Sequence, residues 1–194
     1  MPKQLPLAGF ATELPPTDRL FLAIFPDAST ADRMALLAQH LRAKHGMFGR
    51  PLASERFHIT LVHLGDYAGL PQGVVRTASE AAATVAMPPF DVAFEHTESF
   101  SGRSGGLPFV LCGNDGVNKL KAFRQTLGVA LAKAGLGDCV TSPFNPHVTL
   151  LYDAQFLPEE AVDPVGWTVN EFVLVHSLLG QTRHIPLGRW PLRG

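Results

Sequence analysis

One short pattern with catalytic side chains occurs twice in the chain: a histidine two places before a threonine, with apolar residues at the second and fourth places. The copies are "HITL" at 58–61 and "HVTL" at 147–150. With 8 histidines in 194 residues, a bare His-x-Thr is expected by chance about 0.5 times, and two full copies far less often. The repetition therefore indicates a shared role for the two copies.

The chemistry that these residues could perform follows from their place on a strand. Side chains alternate between the faces of a strand, so each copy presents its imidazole and hydroxyl on one surface and its apolar residues on the other. Two imidazoles can serve as general base and general acid at neutral pH, and hydroxyls can donate to phosphoryl oxygens. The pattern predicts phosphodiester chemistry by His58 and His147, with Thr60 and Thr149 on the phosphate and with no metal or other cofactor.

The elements that must position these residues recur in one order in both halves: an apolar strand, an amphipathic helix and the strand that carries the motif. From Phe21 of "FLAI" to His58 is 58 − 21 = 37 positions, and from Phe109 of "FVLC" to His147 is 147 − 109 = 38. Matched order and length favour a repeated supersecondary unit. We therefore expect an α+β fold of two pseudo-symmetric lobes around a central cleft, each a mostly antiparallel sheet with helices on its outer face.

Hydrophobic periodicity and breaker residues give the expected bounds of these elements. Strands are predicted at 19–26, 57–64, 90–100, 108–113, 146–153, 167–179 and 184–192. Helices are predicted from Asp27 or Ser29 to about Lys44, at 73–86 and at 114–135. The proline pair at 15–16 ends a loose tail, residues 1–17, and residues 18–194 are expected to form a single bilobal domain.

Composition restricts the partners of the chain. The 16 Lys+Arg against 17 Asp+Glu give a net charge of −1, which argues against wrapping a long nucleic acid because such binding neutralises many phosphates. RNA ends or small cyclic nucleotides are compatible with this charge. No apolar run approaches the roughly 18 residues of a membrane span, and the two cysteines lack a redox spacing. We expect a cytoplasmic monomer with no membrane partner.

The two motifs, 147 − 58 = 89 positions apart, resemble the paired His-x-Thr-x motifs of the 2H phosphoesterase superfamily. The closest resemblance is to its LigT-like branch, the RNA 2',3'-cyclic phosphodiesterases also called 2'-5' RNA ligases, and it covers nearly everything after the tail. It implies a bilobal α+β fold and hydrolysis of a terminal 2',3'-cyclic phosphate to a 2'-phosphomonoester. It also implies that His58 is the acid and His147 the base, although the chemistry leaves these two labels interchangeable.

Members of that branch often carry an arginine directly or soon after each motif. This chain has Val62-His63 and Leu151-Tyr152 at those places, so its phosphate ligands are expected to come in part from elsewhere. Three other functions stay open: 2'-5' RNA ligation, hydrolysis of a small cyclic nucleotide, and nucleotide binding without catalysis. Intact histidines in both motifs favour an enzyme, because a pure binding module has no need of two proton-transfer groups.

The remaining candidates are expected to be structural or solvated. Strand alternation predicts that His63 faces away from the site, and Tyr152 likewise unless its strand bulges, which would allow it to stack on a base. Further expectations concern single residues: His176 in the core, His184 and Arg183 in solvent, Lys119, Lys121 and Arg124 on a solvated helix face, and Arg103 in the loop 101–106 as a minor substrate contact. A metal site formed by His58, His63 and His147 is disfavoured because no carboxylate or cysteine accompanies them at ligand spacing.

Overall fold

The computed structural model of the protein describes residues 14–101 and 106–194. Within these residues the chain forms eight strands and three α-helices, named here in chain order with three short 3₁₀ turns between them. The bounds are β1 Asp18–Ile24, α1 Ala28–His45, β2 Ile59–Tyr67, α2 Gln72–Ala83, β3 Phe90–Ser99, β4 Leu107–Cys112, α3 Asn118–Lys133, β5 His147–Asp153, β6 Glu160–Val169, β7 Glu171–Leu178 and β8 Arg183–Pro191. Most of the predicted tail, and the loop residue Arg103, lie outside the described residues.

The strands form two four-stranded sheets with the orders β2-β1-β7-β8 and β5-β4-β3-β6. All neighbouring pairs are antiparallel. In each sheet the strand that carries a motif lies at one edge, and its neighbour is the strand that precedes it through a helix. Strand β2 thus corresponds to β5, and β1 to β4. The expected α+β class with two matched antiparallel sheets is confirmed.

The two sheets share one continuous apolar core on the side that faces the helices. Helix α1 follows β1 of the first sheet in the chain, but it contacts β5 and β6 of the second sheet. Helix α3 follows β4 of the second sheet, but it contacts β2 of the first. Each crossover helix therefore ties one half to the other, and the relative position of the motif strands is set by this shared packing. Among the residues that the structure describes, no helix is long and apolar enough to cross a membrane.

Helix α1 begins and ends where the sequence predicts. The side chain of Asp27 accepts a hydrogen bond from the backbone nitrogen of Thr30 at 2.8 Å, which satisfies one free donor of the first turn. Met34 and Leu41 lie on its buried face. The chain leaves the helix through Gly46 at φ 64°, a left-handed conformation that glycine adopts without the steric cost of a Cβ atom.

The predicted strand 167–179 is wrong as a single element. The chain turns at Asn170, whose side-chain amide donates to the carbonyl of Thr168 at 3.1 Å, and its two parts enter different sheets as β6 and β7. The first seven residues of β6, from Glu160 to Gly166, were not predicted as strand. This segment contains a proline and a glycine and has mixed burial, so it lacks the continuous apolar run by which an inner strand is recognised.

Candidate active site

The two motifs meet in a cleft of about 540 Å³ between the sheets. His58 and Thr60 line it from the first sheet, and His147 and Thr149 line it from the second. The other lining residues are Arg19, Phe21, Leu52, Arg56, His63, Tyr152, Ser177, Leu178, Leu179, Gly180, Thr182 and His184. All four predicted site residues are therefore brought to one cavity, as expected from matched strands in matched lobes.

The two imidazoles are held by equivalent hydrogen bonds. Nδ1 of His58 lies 2.7 Å from the carbonyl oxygen of Arg56, and Nδ1 of His147 lies 2.8 Å from that of Asn145. A carbonyl oxygen only accepts hydrogen bonds, so each Nδ1 carries a proton. This fixes the tautomer and leaves Nε2 of each ring as the atom that can take or give a proton.

Aromatic rings pack around the motif histidines. The ring centroid of His58 lies 5.1 Å from that of Phe21 in a stacked arrangement, 5.8 Å from Phe25 and 5.2 Å from His184. The ring of His147 makes an edge contact with Phe100 at 4.9 Å. Each imidazole is therefore held in orientation by packing as well as by its hydrogen bond.

Burial lowers the pKa of both motif histidines. For His58, burial lowers the pKa from 6.5 to about 4. The hydrogen bond to the Arg56 carbonyl opposes this shift, and the positive charges of His184, His147 and Arg56 add to it. Burial also lowers the pKa of His147, opposed by its bond to Asn145. In the free protein these shifts favour the neutral form of both rings. A bound phosphate anion would favour the protonated form of one of them.

A β-bulge occurs at the last residue of each motif. In the pairing of β1 with β2 the register shifts at Leu61 and again at Leu64, and in the pairing of β4 with β5 it shifts at Leu150. Leu61 and Leu150 are equivalent, since 150 − 61 = 89 is also the separation of the motifs. A bulge puts one additional residue into a strand and so reverses the alternation of the residues beyond it.

The bulges bring His63 and Tyr152 into the cleft. The prediction that His63 faces away from the site is therefore wrong. Tyr152 lies in the cleft, as predicted for the case in which its strand bulges. The sequence carries a signal for this: Leu61-Val62 and Leu150-Leu151 are consecutive apolar pairs, and all four side chains are buried. Two adjacent buried residues are incompatible with regular alternation in a strand that has one face on a cleft.

Two arginines supply positive charge to the cleft. Arg19 donates two hydrogen bonds of 2.7 Å to Asp66, which largely neutralises it. Nε of Arg56 is buried and has no hydrogen-bond partner among the described residues.

His184, expected in solvent, instead packs against His58. His184 comes from β8, far from the motif in the chain, so its approach could not be predicted from local pattern, whereas Arg56 lies only two residues before His58.

Arg124 lies against the first motif strand and not in a solvated helix face, which corrects the prediction. From α3 its Nε donates to the carbonyl oxygen of Leu61 at 2.7 Å and its Nη2 to that of Val140 at 3.2 Å. The guanidinium also lies over the ring of Phe144, 5.8 Å from its centroid. The helix of the second half thus holds the bulge of the first half in place.

The second bulge is held by hydrogen bonds from the backbone of the loop 49–52. The carbonyl oxygen of Leu150 accepts from the backbone nitrogen of Leu52 at 2.8 Å, and the backbone nitrogen of Gly49 donates to Oδ2 of Asp153 at 2.6 Å. Gly49 must be glycine for this approach, because a Cβ atom there would lie 2.0 Å from the carbonyl oxygen of Tyr152. The loop 49–52 therefore packs directly on the second motif strand.

The other sequence candidates take structural positions. His176 is buried and its Nε2 forms a hydrogen bond with Asp18, which confirms the prediction of a satisfied core histidine. Lys119 and Lys121 are exposed on α3, as expected. Neither group contributes to the cleft.

Comparison with known proteins gives one family. The family model described as the 2'-5' RNA ligase superfamily matches residues 25–181. An Escherichia coli (strain K12) RNA 2',3'-cyclic phosphodiesterase is 29% identical over an alignment of 184 residues, and the alignment covers 90% of this chain and 96% of that protein. The crystal structures of E. coli LigT in apo form and with 3'-AMP are both 28% identical, with TM-scores of 0.69 and 0.67, and in both cases cover 93% of this chain and 100% of theirs. With its paired motifs in one cleft and a family match over most of its length, this chain belongs to the 2'-5' RNA ligase superfamily.

Proposed function

We propose that this protein is a phosphodiesterase that hydrolyses the terminal 2',3'-cyclic phosphate of RNA to a 2'-phosphomonoester, without a metal ion. The observation that carries the proposal is the pair of imidazoles in one cleft, each with Nδ1 bonded to a carbonyl oxygen two residues earlier. Membership of the superfamily and the similarity to an RNA 2',3'-cyclic phosphodiesterase support the same reaction.

The reaction follows from the orientation of the two rings. The neutral Nε2 of one histidine takes a proton from water as the water oxygen bonds to phosphorus. The protonated Nε2 of the other gives its proton to the 3' oxygen as the bond between that oxygen and phosphorus breaks. The hydroxyls of Thr60 and Thr149 donate to the non-bridging oxygens, where negative charge grows in the transition state. The phosphate stays on the 2' oxygen, and the charge balance needs no metal.

The positive charge for phosphate binding comes from Arg56 in this proposal. Its charge acts on both His58 and His184, so it lies near enough to the reacting centre to attract an anion. Its buried Nε, without a partner among the described residues, gains one when a phosphoryl oxygen binds. In this proposal Arg56 binds the phosphate in place of the arginines that members of the LigT-like branch often carry after their motifs.

Tyr152 is proposed to contact the terminal nucleoside. It lies in the cleft three residues beyond Thr149 with 48% of its surface exposed. Single-stranded RNA ends are commonly recognised by stacking of a base on an aromatic ring. E. coli LigT has been crystallised with 3'-AMP, ATP and NADP+, all of which contain a nucleoside next to phosphate.

The direct test uses an oligoribonucleotide that ends in a 2',3'-cyclic phosphate, incubated with the purified protein with and without EDTA. A 2'-phosphate end formed equally in both supports the proposal. A 3'-phosphate end, or loss of activity with EDTA, contradicts it. Turnover restricted to mononucleotide 2',3'-cyclic phosphates would assign a small cyclic nucleotide as the substrate, and tight binding without turnover would assign a binding module.

The pH dependence of kcat/KM is expected to be bell-shaped with both limbs below pH 6.5. A general base acts only above its pKa and a general acid only below its pKa. Since burial puts the pKa of His58 at about 4 and that of His147 below 6.5 in the free protein, the rate should rise through the lower value and fall through the higher. Initial rates at substrate concentrations far below KM measure this profile. A plateau that continues above pH 6.5 would contradict it.

Arg124→Lys is expected to lower kcat by about tenfold and the free energy of unfolding by about 1–2 kcal/mol, because lysine cannot bond two carbonyl oxygens with one planar group. KM should change less than kcat, since Arg124 holds the Leu61 bulge and does not line the cleft itself. Steady-state kinetics and thermal unfolding measure both effects. Arg33→Lys is the matched control, because the exposed Arg33 side chain donates only one hydrogen bond to a carbonyl oxygen, that of Pro164. Equal effects of the two variants would show that Arg124 has no positioning role.

A further inference from the structure

A second cluster of reactive side chains lies beside the second motif. His96 of β3 is directly opposite Cys112 of β4, and Cys112 is directly opposite His147 of β5. Directly opposite residues in antiparallel strands share a face, and Glu98 shares it as well because it is two places from His96. We propose that His96, Glu98 and Cys112 form a binding site for a thiophilic divalent cation, of which Zn²⁺ is the principal example, and that occupancy inhibits the enzyme.

The three side chains are close to a metal-binding arrangement. One donor atom from each lies within 4.8 Å of the other two. Around tetrahedral zinc, with bonds of about 2.0–2.3 Å, neighbouring ligand atoms are roughly 3.4–3.8 Å apart. A contraction of about 1 Å therefore completes the set, which side-chain rotation can provide without a change in strand pairing.

The burial of His96 is an independent indication of a ligand. The residue is only 7% exposed, and its Nδ1 has no hydrogen-bond partner among the described residues. Buried ring nitrogens are normally hydrogen-bonded, and a metal-bound histidine fixes its ring through both nitrogens. Cys112 is also buried, at 3% exposure. Two buried polar groups thus face each other across adjacent strands, with the carboxylate of Glu98 beside them.

The donor types select the cation. A nitrogen, a sulfur and a carboxylate oxygen suit zinc and other thiophilic metals, whereas Mg²⁺ and Ca²⁺ take oxygen ligands. Glu95 and Glu159 place further negative charge near the sulfur of Cys112, which favours a divalent cation. On binding, the metal–sulfur bond forms as the thiol proton passes to solvent. The three side chains leave a fourth coordination position open.

The position of Cys112 next to His147 gives the site its effect. Cβ atoms of directly opposite residues are about 4.5–5.5 Å apart, so a cation on Cys112 lies beside the His147 ring. It would either take Nε2 of His147 as its fourth ligand or repel the protonated form of that ring. Either event removes His147 from proton transfer. The inhibition rests on the proposed function, whereas cation binding does not.

Binding is tested on the full chain by calorimetric titration with Zn²⁺ and by the charge-transfer absorption that Co²⁺ shows when bound to thiolate. One equivalent should bind the wild-type protein, with Co²⁺ absorption. Cys112→Ser should lose the absorption, and Cys112→Ser, His96→Ala and Glu98→Gln should each bind at least about tenfold more weakly. Cys139→Ser and His40→Ala are matched controls, because they remove the other cysteine and an exposed histidine. Absence of binding to the wild-type protein, or unchanged absorption in Cys112→Ser, would overturn the site.

Inhibition is tested with the cyclic phosphate substrate. Zn²⁺ should lower wild-type turnover over the concentration range in which it binds, and Cys112→Ser should keep its basal turnover at those concentrations. Binding with unchanged turnover would overturn the inhibitory effect alone. Binding by a protein that never turns over the substrate would leave the metal site standing and refute the proposed function, so the two failures are distinguishable.

Discussion

His58→Ala and His147→Ala are each expected to lower kcat for a 2',3'-cyclic phosphate by about a hundredfold to ten-thousandfold, the usual contribution of one general acid or base. Both rings line the cleft. In each ring Nδ1 is hydrogen-bonded to a carbonyl oxygen, which leaves Nε2 for proton transfer. Steady-state rates measure the loss, and circular dichroism shows whether each variant is folded. His40→Ala, on the exposed face of α1, should keep full turnover.

A substrate with sulfur in place of the 3' oxygen separates the two histidine roles. A thiolate leaves without being protonated, so the variant that lacks the acid should recover most of its rate with this substrate, and the variant that lacks the base should not. Near-normal turnover of the 2',3'-cyclic phosphate with a 3' oxygen by either alanine variant would contradict the two-histidine mechanism.

Thr60→Val and Thr149→Val are each expected to lower kcat by about a hundredfold or more, because removal of one preorganised donor to a developing oxyanion has an effect of this size. Valine keeps the volume and branching of threonine, so the strand should pair as before. Both threonines lie in the cleft beside the motif histidines. The measurement is kcat with saturating cyclic phosphate.

Thr60→Ser and Thr149→Ser are the controls for the threonine prediction. Serine keeps the hydroxyl and loses only a methyl group, so these variants should retain most of the wild-type kcat. If the serine and valine variants were equally impaired, packing of the methyl group would explain the loss and the hydroxyls would have no role on the phosphate. If the valine variants were unimpaired, phosphate would have to be held by Arg56 and other groups alone.

The local elements of this protein could largely be predicted from its sequence. Helix α1 was predicted within one or two residues, because an aspartate cap, an apolar stripe and a terminal glycine are all local signals. The two sheets followed from the matched order of the halves. The strand 167–179 was the main error, since nothing local shows that the chain changes sheets at Asn170.

The interior of the cleft was predicted less completely than its motifs. His63 lies on the face opposite to the predicted one, because a bulge at Leu61 interrupts the alternation on which the prediction depends. Arg124 bonds to Leu61 and does not lie in solvent as predicted, because the pattern of a helix does not reveal that α3 contacts β2 of the other sheet. The row of His96, Cys112 and His147 depends on the pairing of three strands.

The sequence by itself indicated the candidate chemistry: two His-x-Thr motifs at matched places in two similar halves, and hence the proposed site for two proton transfers at phosphorus. That information is local, since hydrophobic periodicity and motif composition are written along a few consecutive residues. Only the tertiary structure decided which distant residues join the motifs, among them His184 of β8 in the cleft and Arg124 of α3 against the first bulge. Bulges, sheet order and helix crossing arise from contacts between segments far apart in the chain, and no local pattern encodes which distant partner a strand or side chain will meet.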